Sequence, residues 1–250
     1  MAALQLVPET LDLDERSQRF AALDAQGLIR WARECFGSGL VVSTSFGAQS
    51  AVMLHLVSQN APGIPVVFID TGYLFPETYR FAEQLTERLH LNLKVYGPLM
   101  SAARQEALYG QQWEQGDEGV QAYLERNKVE PMQRALAELG ATAWLAGLRQ
   151  GQTEHRARLR SVERQGGRYK VHPILTWSDD AVASYLKRHD LPLHPLVAQG
   201  YRSIGDVHST IPTLPDQDPR DGRILGKKRE CGLHLPLTRE EEASLKSSRL

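Results

Sequence analysis

The chain has 250 residues, 42% of them hydrophobic and 24% charged, an ordinary composition for a soluble globular protein with one large domain, or one domain and an appendage. Its formal net charge of −1 excludes the overall basic field of general nucleic-acid-binding proteins, so any anion site must be a local concentration of arginines. No apolar run reaches the roughly 18 residues of a membrane span, and the N-terminus lacks the basic and apolar regions of a signal peptide, so we expect a cytoplasmic protein that binds neither nucleic acid nor membrane.

Strand-like and helix-like segments alternate over the first part of the chain. The spacing of apolar residues predicts strands over 40–44, 65–70, 91–96 and 143–147, and helices over 13–36, 48–57, 76–89 and 129–139. Gly37 and Gly39 end the first of these helices, and Pro76 opens the third. Alternating strands and helices imply right-handed crossovers, so we expect an α/β fold with a mostly parallel sheet and helices on both faces.

The periodicity weakens from about residue 148. Residues 147–160 are predicted to form an arginine-rich loop, and 177–189 a further helix with Ser178 as its N-cap. Residues 211–230 are rich in Pro, Asp and Gly, which favours a flexible tail that leads to Cys231. The expected organisation is an α/β domain over 1–210, with an N-terminal helical segment over 1–37, and a mobile tail over 211–250.

A hydroxyl-rich turn follows the first predicted strand. Its residues are Ser43, Thr44, Ser45, Phe46 and Gly47, and it continues to Ser50. Between a strand and a helix, such a turn presents backbone N–H groups and the positive end of a helix dipole, which suits a phosphate or sulfate. The Walker lysine and the G-x-G-x-x-G spacing are both missing, and an ordinary serine-rich helix cap is the alternative.

A second polar turn, consisting of Asp70, Thr71, Gly72 and Tyr73, follows the second strand. Open α/β sheets bind ligands in the crevice beyond the carboxyl ends of their strands, so this turn should face the same cleft as the first. The alternative is a purely structural tight turn in which Gly72 supplies a positive φ.

Arginines are concentrated after the fourth strand, where Arg149, Arg156, Arg158 and Arg160 occur together with His155. The arginine side chain is a planar fork of donors that pairs with two oxygens of a phosphate or sulfate. Charge runs are usually solvated surface, but this one follows a predicted strand and therefore lies at the same sheet edge as the two turns. We predict that it contributes to an anion site.

Cys231 stands in a basic segment near the C-terminus. Lys227, Lys228 and Arg229 precede it and His234 follows, and neighbouring cations lower the pKa of a thiol, although Glu230 partly offsets them. A basic tail with an incidental thiol is the alternative. The other cysteine, Cys35, lies in a predicted helix and is expected to pack as a small hydrophobic residue.

Together these segments, from about residue 38 to 234, resemble the phosphoadenylylsulfate (PAPS) reductase family, which is related to the PP-loop adenine-nucleotide hydrolases. The matching motifs are S-T-S-F-G-A-Q-S at 43–50, D-T-G-Y-L-F-P-E-T-Y-R-F at 70–81, W-E-Q-G at 113–116, K-V-E-P-M at 128–132, G-L-R at 147–149, G-Y-x-S-I-G-D-x-H at 200–208 and K-R-E-C-G-L-H at 228–234. The resemblance implies a Rossmann-like adenine nucleotide alpha hydrolase (PP-loop) fold, with a nucleotide-binding reductase domain over 1–210 and a catalytic cysteine in the tail. It also implies a homodimer.

The sequence differs from related families at positions that indicate which reaction to expect. PP-loop synthetases carry S-G-G-x-D-S, whereas here Phe46 replaces a glycine and Gln49 the aspartate, so adenylation chemistry is not expected. Adenylylsulfate reductases usually carry four cysteines for a [4Fe-4S] cluster, and this chain has only two cysteines in all. The resemblance therefore points to the cluster-free branch that uses the 3′-phosphorylated nucleotide. A cluster-free adenylylsulfate reductase stays open as an alternative.

The implied mechanism begins with attack of the Cys231 thiolate on the sulfonate sulfur, which expels adenosine 3′,5′-bisphosphate and leaves an S-sulfocysteine. Because the chain has no C-x-x-C, an external dithiol, thioredoxin or glutaredoxin, would then release sulfite. No metal and no bound cofactor are expected. The candidate substrate-binding residues are Ser43, Thr44, Ser45, Phe46, Gly47, Asp70, Thr71, Gly72, Tyr73, Lys128, Arg149, Arg156, Arg158, His208, Lys228, Arg229 and His234.

Several alternatives stay open. Lys128 and His208 occur in family motifs but are equally compatible with ordinary surface positions. Arg158, Arg160 and His155 are equivalent candidates for contact with the 3′-phosphate. Rival functions are a PP-loop nucleotidyltransferase, which would need magnesium and gives Cys231 no role, and a non-catalytic nucleotide-binding module.

Overall fold

Six short strands form the sheet at the centre of the fold. A computed structural model describes residues 13, 19–214 and 216–223. The strands are β1 Leu40–Thr44, β2 Pro65–Ile69, β3 Asn92–Tyr96, β4 Ala143–Ala146, β5 Val162–Gln165 and β6 Arg168–Val171. Their order in the sheet is β3-β2-β1-β4-β6-β5, and every neighbouring pair is parallel except β5 with β6.

Helices connect most of the strands. They are α1 Ala25–Phe36, α2 Ser50–Asn60, α3 Pro76–Leu89, α4 Ala102–Tyr109, α5 Gly116–Leu124, α6 Glu130–Glu138, α7 Glu154–Ala157 and α8 Asp179–Arg188. A π-helical turn over Glu125–Val129 joins α5 to α6. Short 3-10 turns include Gln112–Glu114, Gln150–Gln152, Pro195–Gln199, Val207–Ser209 and Pro219–Gly222.

Apolar residues on both faces of the strands build the core. In β1, Leu40 and Val42 pack with one cluster, which includes apolar side chains of α1, α2, α3 and α8, while Val41 packs with Met132 and Leu136 of α6. This alternation follows from the two-residue period of a strand, which directs successive side chains to opposite faces. The predicted α/β fold with a mostly parallel sheet and helices on both faces is confirmed.

Local signals predicted several boundaries well. The observed helix α3 has the predicted bounds and begins at Pro76, and the hydroxyl of Ser178 caps α8 by accepting from the backbone N–H of Ala181 at 3.1 Å. The single helix predicted over 13–36 is wrong in its extent. Residues 22–24 form a turn, and the carboxylate of Asp24 starts a new helix, α1, by accepting from the N–H of Gly27 at 2.6 Å.

The sequence did not predict the hairpin of β5 and β6, because its strands carry charged residues whose burial depends on side-chain contacts that the spacing of apolar residues does not reveal. Lys170 is 1% exposed. Its ammonium donates to Oε1 of Gln165 at 2.7 Å and lies 4.9 Å from the ring centroid of Trp144. The polar stretch before Val129 also proved helical, forming α4 and α5, and the predicted arginine-rich loop contains α7.

The first residues of the predicted tail contact the domain. The N–H of Thr213 donates to the carbonyl of Gly200 at 3.1 Å, and a guanidinium nitrogen of Arg223 donates to the carbonyl of Ile204 at 3.0 Å. The rest of that tail, with Cys231, lies outside the described residues, and the predicted boundary at residue 210 stays a prediction. Within the described ranges, no helix combines the length and the apolar character that a bilayer crossing requires.

The buried imidazole of His194 makes stability depend on pH. Its Nδ1 accepts from the N–H of Leu196 at 3.2 Å, which puts the proton on Nε2, 3.0 Å from the hydroxyl of Thr78. Burial lowers the pKa of His194 to about 4, although Glu77 acts in the opposite direction. The pKa of a histidine in an unfolded chain is about 6.5. The folded chain therefore binds fewer protons between these values, and stability must fall as the pH drops through this window.

We expect His194→Gln to be less stable than wild type at pH 7. Between pH 6.5 and 5, however, its free energy of unfolding should fall less steeply, with a slope smaller than that of wild type by up to about 1 kcal/mol per pH unit. Urea unfolding at a series of pH values measures this slope. The exposed His90, replaced by Asn, is the control and should keep the wild-type slope. An unchanged slope in His194→Gln would contradict the assignment.

Candidate functional site at the carboxyl edge of the sheet

The sheet topology brings the predicted polar segments to one edge. β1 lies between β2 and β4, with Thr44 opposite Phe68 and Ser43 opposite Ala146, so the carboxyl ends of these three parallel strands are neighbours. The turns that follow them therefore lie next to one another at one edge of the sheet. This is the position at which open α/β sheets bind ligands.

Phe46 defines the turn after β1 through its backbone conformation and its buried ring. Its backbone has φ 46°, in the left-handed region, and its N–H donates to Oγ1 of Thr44 at 3.0 Å. Its side chain is fully buried and meets the ring of Phe68 edge to face, with ring centroids 4.9 Å apart. Ser45 is exposed, while Ser43, Thr44 and Gly47 are partly buried. The predicted contacts of this turn with a substrate remain predictions.

The turn after β2 is held by the carboxylate of Asp70. One oxygen, Oδ1, accepts from the N–H of Gly72 at 2.8 Å and from the hydroxyl of Tyr79 at 2.7 Å. Gly72 has φ +77°, and a Cβ there would lie 3.3 Å from that of Ala102, so both backbone angle and space favour glycine. The tight turn expected from the sequence is therefore present, and it carries Asp70 and Tyr73 at the edge of the sheet.

Arg149 links the end of β4 to the turn after β1. Its Nη2 donates to Oε1 of Gln49 at 2.8 Å and pairs with Oδ1 of Asp179 at 2.8 Å. Its backbone N–H donates to Oε1 of Gln152 at 3.1 Å. The Arg149 side chain is 9% exposed and that of Asp179 is 74% exposed, so the ion pair joins a buried cation to a carboxylate at the rim of the sheet edge, in contact with solvent.

The other arginines of this segment divide into two groups. Arg156 is buried, and its guanidinium also hydrogen-bonds Oε1 of Gln152, the acceptor used by Arg149. Arg158 and Arg160 are exposed. The Gln152 side chain thus accepts from the backbone of Arg149 and from the guanidinium of Arg156. The third candidate for the 3′-phosphate, His155, is partly buried.

Asp206 was not singled out from the sequence, yet it lies at the centre of the neighbouring cluster. It is fully buried, with Oδ2 2.5 Å from the ammonium of Lys128 and Oδ1 accepting from the hydroxyl of Thr71 at 2.7 Å. Burial opposes the charged carboxylate. The positive charge and hydrogen bond of Lys128, the bond from Thr71 and the charge of Arg223 outweigh burial and hold the pKa of Asp206 below its usual value.

The same contacts assign Lys128 to the interior, with 7% of its surface exposed, so it is not an ordinary surface lysine. The G-Y-x-S-I-G-D-x-H motif was the signal that could have found Asp206. It could not reveal the partners, because Thr71 is 135 positions away in the sequence.

His208 belongs to an aromatic group beside this ion pair. Its ring stacks on Trp113 with centroids 3.9 Å apart and planes at 8°, and it meets Tyr73 and Tyr123 edge to face. Burial lowers the pKa of His208 to about 4, although Asp206 acts in the opposite direction. His208 is therefore neutral at pH 7 and contributes a dipole rather than a charge.

The tail residues among the candidates, Lys228, Arg229, Cys231 and His234, lie outside the described residues. Cys35 is partly buried and packs against the core, as expected. In the part of the chain that the structure covers, no three His, Cys, Asp or Glu side chains are grouped to hold a metal ion.

A solved structure of another protein shares this architecture. Candida glabrata FMN adenylyltransferase in complex with FAD and inorganic pyrophosphate has a TM-score of 0.56 and 16% identity, covering 96% of this chain and 86% of that chain. At this identity the likeness shows the fold alone. The mostly parallel six-stranded sheet and its helices define a PP-loop-like α/β fold.

Sequence comparison identifies the family. The phosphoadenosine phosphosulfate reductase domain matches residues 39–212. The phosphoadenosine 5′-phosphosulfate reductase of Synechocystis sp. is 57% identical, over 96% of this chain and 97% of the relative, and that of Thiocapsa roseopersicina is 54% identical, over 89% and 93%. The crystal structure of the Candida auris PAPS reductase, a phosphate complex, has a TM-score of 0.70 and 30% identity, covering 84% of this chain and 98% of that chain. The chain belongs to the phosphoadenosine phosphosulfate reductase family of oxidoreductases, which confirms the resemblance of the motifs.

Phe46 offers a test of the turn geometry. Phe46→Ala should lower the free energy of unfolding by about 3–5 kcal/mol, the usual cost of truncating a buried phenylalanine. Phe46→Gly removes even more side chain, but it relieves the left-handed backbone of a cost of roughly 1–2 kcal/mol. We therefore expect the glycine variant to be no less stable than the alanine variant in urea unfolding. A clearly less stable glycine variant would contradict the assigned φ.

Proposed function

We propose that the protein is a thioredoxin-dependent PAPS reductase. It converts 3′-phosphoadenylyl sulfate into sulfite and adenosine 3′,5′-bisphosphate in assimilatory sulfate reduction. The observation that carries this proposal is the match of almost the full chain to relatives named phosphoadenosine 5′-phosphosulfate reductase, at 51–57% identity. The E-C-G-L-H segment supplies the thiol that such a reaction needs.

The nucleotide binds at the carboxyl edge of the sheet. The turn after β1 offers hydroxyl groups at the start of α2, a position that favours an anion. Arg149 brings a positive charge to the same turn through its bond to Gln49. Its present partner, Asp179, is mostly exposed, so a phosphate replaces that ion pair at small cost in free energy. Arg156 supports the same region from a buried position.

Two transfers at sulfur complete the reduction. The thiolate of Cys231 attacks the sulfonate sulfur, the bond between sulfur and the phosphate oxygen breaks, and adenosine 3′,5′-bisphosphate leaves with the electron pair. A thiolate of the donor then attacks Sγ of the S-sulfocysteine and releases sulfite, which leaves a mixed disulfide between donor and Cys231. The second donor thiol resolves this bond, so the donor is oxidised to a disulfide and Cys231 returns to a thiol.

The donor is a separate dithiol protein, thioredoxin or glutaredoxin, because the only other cysteine is the packed Cys35. With two cysteines in all, the chain lacks the four thiolates of a [4Fe-4S] cluster, so we assign it to the cluster-free branch. The reaction places it in the cytoplasm, where dithiol donors are kept reduced. We further propose that it acts as a homodimer.

A pair of serine variants tests the role of Cys231. With reduced thioredoxin and 3′-phosphoadenylyl sulfate, Cys231→Ser should release no sulfite, and Cys35→Ser should release it at the wild-type rate. Without a donor, intact-mass analysis should find one added sulfonate group on wild type and on Cys35→Ser, and none on Cys231→Ser. Full activity of Cys231→Ser would contradict the proposed mechanism.

The same assay tests the nucleotide preference. The substrate with a 3′-phosphate should have a kcat/KM at least about tenfold higher than adenylyl sulfate, because a charge-assisted contact is lost without that phosphate. A higher value for adenylyl sulfate would instead identify a cluster-free adenylylsulfate reductase, and equal values would contradict the preference for the 3′-phosphate. Arms with thioredoxin and with glutaredoxin determine the preferred donor.

A further inference from the structure

The carboxylate of Asp206 lies where three segments of the candidate site meet. These are the turn 70–73 after β2, the π-helical turn Glu125–Val129, and the segment that runs from Asp206 into the 3-10 turn Val207–Ser209. We propose that Asp206 is a positioning residue: through its bonds to Thr71 and Lys128 it fixes the turn that faces the nucleotide. The inference rests on the proposed function, since it requires a nucleotide at this edge.

Side-chain and backbone contacts both join Asp206 to the turn. The hydroxyl of Thr71 donates to Oδ1, and its oxygen accepts from the N–H of Tyr73 at 3.3 Å. Asp206 also forms an antiparallel bridge with Leu74, and the N–H of Val207 donates to the carbonyl of Tyr73 at 2.8 Å. The hydroxyl of Thr71 is therefore engaged inside the protein. We assign it to the support of the turn rather than to direct contact with the nucleotide.

Lys128 fixes the other side of the carboxylate. It projects from the π-helical turn, an uncommon element that occurs frequently at functional sites. The preceding residue, Asn127, anchors this turn through two hydrogen bonds with the amide of Gln105, at 2.9 and 3.0 Å. The buried amides of Asn127 and Gln105 thus fix the position of the Lys128 ammonium. The ammonium in turn fixes the position of the Asp206 carboxylate.

Arg223 links Asp206 to the part of the sequence that precedes the proposed nucleophile, Cys231. Its positive charge favours the ionised form of Asp206, and its guanidinium bonds the carbonyl of Ile204, two residues before Asp206. Arg223 precedes Cys231 by eight residues. The same carboxylate therefore connects the turn at the nucleotide edge with the segment that leads to the thiol.

A matched pair of threonine variants separates positioning from stability. Thr71 and Thr78 are 2% and 1% exposed, and each places its hydroxyl on a buried side chain, Asp206 or His194. Thr71→Val and Thr78→Val should lower the thermal midpoint by similar amounts. Calorimetry with adenosine 3′,5′-bisphosphate should show affinity at least ~10-fold weaker in Thr71→Val and within about twofold of wild type in Thr78→Val. Thr71→Ser, which keeps the hydroxyl, should restore the affinity to within about twofold.

A double-mutant cycle tests the dependence on Asp206 itself. Asp206→Asn leaves the buried ammonium of Lys128 without its counter-charge, so the folded fraction is first verified by circular dichroism. The folded variant should bind the nucleotide at least ~10-fold more weakly, and adding Thr71→Val should weaken binding less than about twofold further. Additive losses, or equal affinities of Thr71→Val and Thr78→Val, would overturn the inference. If wild type itself neither binds this nucleotide nor releases sulfite, the proposed function fails instead.

Discussion

The buried ion pair between Asp206 and Lys128 is the contact on which the geometry of the site depends. Both groups are shielded from water, so each charge relies on the other, and removal of one partner of such a pair is strongly destabilising. The pair also brings together parts of the chain that are far apart in sequence. The turn after β2 is bonded to this carboxylate through Thr71, and Arg223, bonded to the carbonyl of Ile204, adds a positive charge that favours its ionised form.

Arg149 provides the corresponding link on the other side of β1. Its guanidinium bonds Gln49 across the edge of the sheet and an exposed carboxylate at the rim. In contrast to Lys128, which is committed to a buried partner, Arg149 has a partner that solvent or a ligand can replace. This contrast supports different roles in the proposed reaction, one cation that holds the site together and one that meets the phosphate.

The sequence was most informative where local chemistry decides the structure. Pro76 and Ser178 marked helix starts, and the alternation in β1 marked a strand with two buried faces. The hairpin of β5 and β6 was not predicted, because Lys170 is buried in contact with Gln165 and Trp144, and the spacing of apolar residues does not reveal these contacts.

The same limit applied to the candidate site. Topology predicted that Asp70 and Arg149 share one edge, because both follow parallel strands. The role of Asp206 could not be predicted, because it arises from long-range contacts and not from a local pattern. The family motifs drew attention to Lys128 and His208, but only the structure distinguishes the buried cation from the neutral imidazole.

In the proposed reaction, electrons reach the sulfur of the nucleotide through Cys231 from an external dithiol. This route is tested with a thioredoxin variant that lacks its resolving cysteine, mixed with the enzyme and 3′-phosphoadenylyl sulfate. We expect a mixed disulfide between this thioredoxin and Cys231, formed only when substrate is present and in an amount equal to the sulfite released. Sulfite release without that disulfide, or a disulfide at Cys35, would show that Cys231 does not carry the electrons.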